Sequence, residues 1–134
     1  MSNTGKKILV IDTDKIQTNQ IKNSLGMEFE VFCANSDKDA LEHFIQGLIP
    51  DLILVDIIMI QRRGWELFHF LRGIGLLQSV PIAIVTPKPQ KEEEITAKKM
   101  WGKMYVERTP DAKELKEKIL NILERGAMVS DAAG

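Results

Sequence analysis

Three apolar runs close on polar residues whose types suit one chemistry. Asp12, with Asp14 two places on, follows Ile8-Leu9-Val10-Ile11; Asp56 follows Leu52-Ile53-Leu54-Val55; Thr86 follows Ile82-Ala83-Ile84-Val85. A carboxylate set directly after a buried strand is costly unless it is solvated or paired. Asp56 does not easily serve as a helix cap, because the next helical pattern begins near Gly64. Two converging carboxylates suit a hard divalent cation such as Mg²⁺, and a phosphoryl group could join the cation on one of them. Asp14 admits two readings, the N-cap of the first helix or a metal ligand. A purely structural polar cluster is the alternative for the whole set.

The elements that must position these residues alternate in type. Short β-branched runs recur at 8–11, 31–33, 52–55, 82–85 and, weakly, 104–106, and the lack of polar alternation marks strands buried on both faces of a parallel sheet. Between them lie segments of helical period. Ala40, Leu41, Phe44, Ile45 and Leu48 form one stripe, opened by Ser36 with Asp39 as a capping pair. Trp65, Leu67, Phe68 and Leu71 form another, and Leu115, Ile119, Ile122 and Leu123 the clearest, starting near Asp111 and stopping at Gly126. A first helix over about Lys15–Leu25 rests on Ile21 and Leu25, and a fourth over about Lys91–Met100 is mostly polar. Alternating strands and helices imply right-handed crossovers with helices on both faces of one sheet. Ligands in such folds sit beyond the carboxyl ends of the strands, where strand order reverses. The expected organisation is one domain over residues 1–126 with a flexible tail at 127–134.

Composition narrows the function classes. The 134 residues carry 18 basic and 19 acidic side chains, well mixed, for a net charge of −1. That balance argues against a broad electrostatic footprint for nucleic acid or an anionic membrane. Cys33 is the single cysteine, so no internal disulfide forms and a reducing cytoplasm is the expected setting. The apolar run from Leu52 to Ile60 is interrupted by Asp56 and is too short to span a bilayer. No glycine-rich loop follows the first strand, which sets aside a small nucleotide-binding enzyme. His43 and His69 read as surface histidines. Met100 with Trp101 reads as core contact or partner patch, and Lys91–Glu94 as a solvated helix start.

In order and spacing these landmarks resemble the receiver domain of two-component response regulators. Ile8-Leu9-Val10-Ile11-Asp12 resembles its opening strand. Residues 50–59, with Gly64 following, resemble the segment around the phosphorylated aspartate, and residues 81–86 the strand ending in the switch hydroxyl. Thr86 lies 30 residues beyond Asp56 (86 − 56), and Tyr105 lies 19 beyond Thr86 (105 − 86), both intervals of that family. The likeness covers about Lys6 to Glu124. It implies a three-layer α/β/α fold, flavodoxin-like and doubly wound, with a five-stranded parallel sheet in the order 2-1-3-4-5. It also implies that Asp56 accepts a phosphoryl group from a histidine kinase or phosphotransfer protein. Mg²⁺ would bridge Asp12, Asp56 and the backbone carbonyl of Ile58, with Asp14 as a further candidate ligand. Thr86 would be the switch hydroxyl, Tyr105 the switch aromatic, and Arg108 would occupy the usual lysine position. The face made by the fourth helix, fifth strand and fifth helix would meet a downstream protein partner or an output domain absent from this chain, or a second copy in a homodimer. Such a protein signals rather than catalyses, beyond its own phosphorylation and dephosphorylation.

Several positions depart from that pattern. Thr13 stands where a second acid is usual, and Arg108 keeps a positive charge with a planar head unlike a compact ammonium. Pro110 lies one place later than the family's proline. Pro87 follows Thr86 and has no N–H to offer a phosphoryl oxygen, Pro89 stiffens the loop, and Ile60 replaces a usual proline. These changes support a second expectation beside the first: a pseudo-receiver acting as a phosphorylation-independent interaction module.

Overall fold

The computed structural model describes residues 4–56, 58–59, 66–86, 105–107 and 111–133. Its strands are β1 (Lys7–Ile11), β2 (Glu30–Ala34), β3 (Leu52–Asp56), β4 (Ile82–Thr86) and β5 (Tyr105–Glu107). Every pairing is parallel, and the order along the sheet is β2-β1-β3-β4-β5. The chain steps from β1 outward to β2, then crosses back to place β3 on the other side of β1. Strand order therefore reverses between β1 and β3, where an α/β sheet opens a crevice at its carboxyl rim.

Alternate strand residues feed two cores, one on each face. Ile8, Val10, Leu52, Leu54 and Val85 pack with Ile21 and Leu25 of α1 (Lys15–Leu25) and with Leu115, Ile119 and Ile122 of the last helix, α4 (Ala112–Ala133). Leu9, Ile11, Ile53 and Val55 pack with Ala40 of α2 (Asp37–Ile45) and with Leu67 and Leu71 of α3 (Glu66–Arg72). Enclosure on both faces is why these strands read as unbroken apolar runs.

Local chemistry sets the helix boundaries. Asp14 caps α1, its carboxylate accepting the Ile16 N–H, and Ser36 caps α2 by accepting the Asp39 N–H. Asp111 accepts from Lys113 and Glu114 at the start of α4. After α2, Gly47 at φ +102° lets the chain turn back. Its N–H reaches the Phe44 carbonyl and the Leu48 N–H reaches that of His43, a paired closure that favours glycine.

Two expectations change. The α2 stripe is narrower than its sequence pattern: Ala40 is buried and Phe44 and Leu48 pack beside it, while Leu41 and Ile45 stand exposed. Residues four apart share one helix face, and their immediate neighbours turn about 100° away from it. Nor does Gly126 end the last helix, which continues through the expected tail to Ala133. A glycine inside a helix costs roughly 1 kcal/mol against alanine, and Ala127, Met128 and Ala132 on its far side are good helix formers. The helix expected near Lys91–Met100, the Lys91–Glu94 run and the Met100-Trp101 pair lie outside the described residues.

Candidate functional site

β1 and β3 run side by side with Ile8 opposite Leu52 and Ile11 opposite Val55. One step further along that register stand Asp12 and Asp56, on neighbouring strands about 4.8 Å apart. Both are enclosed, Asp12 at 3% and Asp56 at 5% exposure. Asp56 in turn pairs with Val85 of β4, so Thr86 lies one residue beyond that pair, with Glu107 of β5 at its other side. The carboxyl ends of β1, β3 and β4 thus bring residues 12, 56 and 86 to one rim. Asp56 and Thr86 are the last residues of their strands rather than the first beyond them.

The two buried acids are held by main-chain donors. Asp12 Oδ1 accepts the Asp14 N–H at 2.9 Å, and Asp56 Oδ2 accepts the Ile58 N–H at 3.1 Å. Each bond fixes a carboxylate against the turn that follows its own strand. Ile58 itself is 40% exposed, while Met59 beside it is buried. Thr13 and Asp14 are exposed, and the Asp14 Oδ1 bond to the Ile16 N–H, at 2.9 Å, makes it the cap of α1.

Two enclosed carboxylates on adjacent strands repel one another, and a small hard cation offsets that repulsion. Mg²⁺ binds through one or two carboxylates and keeps several waters, so this donor pair fits it. Among the described residues no group of three or more His, Cys, Asp or Glu side chains is placed to hold a metal. Further ligands would therefore come from main-chain carbonyls and water.

Of the other expected site residues, Tyr105 is placed by its backbone, as the first residue of β5 opposite Ile84. Arg108, Pro87, Pro89, Pro110, Ile60 and Gly64 lie outside the described residues.

Sequence reasoning passed over two residues near the rim. Asn35, just after β2, donates from Nδ2 to the Asp12 carbonyl at 2.6 Å. The rule that ligands gather beyond strand ends covers β2 as well as β1, β3 and β4, and applied there it leads to Asn35. His43 is not a bare surface histidine: it is half-buried, its Nε2–H donates to the Cys33 carbonyl at 2.9 Å, and its ring meets Phe32 edge-on at 5.7 Å. The Cys33 side chain packs on the other face of the sheet, and burial pushes its thiol pKa up, against a smaller opposing pull from Lys22 and Thr18.

Comparison with known proteins agrees with this architecture. Residues 8–120 match the family described as the response regulator receiver domain. A protein of Pyropia yezoensis, "Probable transcriptional regulator ycf29", is 28% identical over 123 residues, covering 91% of this chain and 55% of that one. The chain thus spans little more than half the length of that curated relative. A response regulator from Thermotoga maritima superposes with a TM-score of 0.72 at 21% identity, covering 90% of this chain and 98% of that one. A response regulator receiver domain protein from Clostridium thermocellum gives 0.70 at 25% identity, over 92% and 98%. With most of its length matched and its acids at the switch point of the expected sheet, the chain belongs to the response regulator receiver domain family.

Proposed function

We propose that this receiver domain takes a phosphoryl group on Asp56 from a histidine kinase or phosphotransfer protein and passes the signal to a protein partner or an attached output domain, in the cytoplasm. The observation that carries this reading is the enclosure of Asp12 and Asp56 on adjacent strands at the switch point. In the transfer, a carboxylate oxygen of Asp56 attacks phosphorus, the P–N bond of the donor breaks, and its electron pair stays on the imidazole. Asp12, Asp56 and the backbone carbonyl of Ile58 would hold Mg²⁺, which neutralises charge on the transferring group. Thr86 would serve as switch hydroxyl, Arg108 as the nearby cation and Tyr105 as the aromatic behind it. The output face would include β5 and α4.

The direct test is incubation with acetyl phosphate or phosphoramidate and Mg²⁺, read by intact mass. One added phosphoryl group is expected on the wild-type chain and none on Asp56→Asn. An unchanged wild-type mass with every donor would overturn the reading.

A second reading has its own support. Thr13, in a usually acidic position, is exposed, and Asp14 uses an oxygen to cap α1. A pseudo-receiver with this rim would bind its partner without phosphorylation, and that binding would survive Asp56→Ala.

A further inference from the structure

β2 ends at the same rim as β1, and the side chain just beyond it continues the sheet. The β1–β2 register closes at Ile11 opposite Ala34, and the Asp12 N–H then donates to the Ala34 carbonyl at 3.0 Å. A further rung needs a donor for the Asp12 carbonyl from the chain past Ala34. That chain has already turned away, because Ser36 caps α2 and the Asn35 N–H donates to Asp39 Oδ2 at 3.1 Å. The donor comes from a side chain instead, Asn35 Nδ2 to the Asp12 carbonyl at 2.6 Å. The same amide lies 3.5 Å from Thr18 Oγ1, and Thr18 is buried in α1 with its hydroxyl donating to the Lys15 carbonyl. Both main-chain polar groups of Asp12 are therefore fixed to the end of β2, and its carboxylate is fixed by the Asp14 N–H.

We propose that Asn35 is a positioning residue for the cation site: through the Asp12 carbonyl it holds the β1–α1 turn, and with it the Asp12 carboxylate, where a divalent cation takes it. This rests on the reading of Asp12 and Asp56 as the cation-binding pair. A ligand whose backbone pivots must be stilled on binding, and that cost lowers affinity. Removing a group that supports a metal ligand from behind weakens metal affinity by roughly 10–100-fold. Asn35 has no reach to the cation in this role; it acts through Asp12.

The test compares the full chain with Asn35→Leu, which removes the donor at similar size, and with Ser36→Ala, which weakens the α2 cap without touching Asp12. Each is titrated with MgCl₂ by calorimetry, unfolded in urea, and followed by hydrogen exchange at the Asp14 amide. Expected for Asn35→Leu are Mg²⁺ binding weakened by about tenfold and faster exchange at Asp14, with Ser36→Ala keeping wild-type affinity. Asn35→Ala gives the same comparison if Asn35→Leu does not fold. Wild-type Mg²⁺ affinity in the folded Asn35 variant overturns the positioning role, as does an equal loss in Ser36→Ala, which would mark general loosening. A wild-type chain that takes up no Mg²⁺ overturns the underlying reading of the rim, a separate result, and the proposal falls with it.

Discussion

Asp14 faces water and spends one oxygen on the Ile16 N–H, whereas Asp12 and Asp56 are almost fully enclosed. That contrast separates its two sequence readings. As a cap, Asp14→Ala should cost about 1 kcal/mol of stability and leave Mg²⁺ affinity unchanged; urea unfolding and an Mg²⁺ titration of one variant check both halves. A large loss of affinity would make it a ligand instead. Asp12 and Asp56 were legible in the sequence because a carboxylate at the end of a doubly buried strand breaks the burial rule and demands a reason. Asn35 was not, since an amide beside a capping serine reads as an ordinary turn residue. His43 was hidden for a related reason. Its partner is a main-chain carbonyl on β2, ten positions back, and side-chain patterns do not report where carbonyls point.

Between α3 and β4 the chain makes a tight 3₁₀ turn at Gly75–Leu77, and one side chain fastens it. Arg72 Nη1 donates to the carbonyls of Leu77 and Val80 at 2.8 Å and of Gln78 at 3.2 Å. Burial of the guanidinium lowers its pKa, yet it stays charged at any working pH because arginine starts so high. Arg72→Met keeps the stem and removes the donors. It should cost roughly 1.5–3 kcal/mol, the scale of hydrogen bonds to a charged group, read as a lower urea midpoint at unchanged slope. No sequence period announces such a staple. The strands were legible because enclosure on both faces forces β-branched runs, and α4 because its stripe is unbroken over Leu115, Ile119 and Ile122. The edges of α2 and the end of α4 were less so. Exposed Leu41 and Ile45 look like core in a list of apolar residues, and a glycine ends a helix only where the chain must turn, as at Gly47.

At the scale of the whole molecule, the helices and strands among the described residues were visible in pattern, but strand order was supplied by resemblance, because periodicity says nothing of which strands are neighbours. That order puts Asp12 beside Asp56, and a cation held there would favour the native chain. At Mg²⁺ tenfold above its dissociation constant the gain is about 1.4 kcal/mol, or about 5 °C in Tm for a chain of this size. Differential scanning calorimetry with and without MgCl₂ should show that shift in the wild type and lose it in Asp12→Asn; equal Tm values in the wild type would count against the cation site. The placement of the two acids also has a consequence for folding. They lie 44 residues apart (56 − 12), with β2 and α2 between them along the chain. A partly folded chain can dock β2 on β1, complete with the Asn35 bond, before β3 is seated. The acidic pair comes into being only in the step that sets β3 beside β1, so intermediates without β3 in place are spared its repulsion.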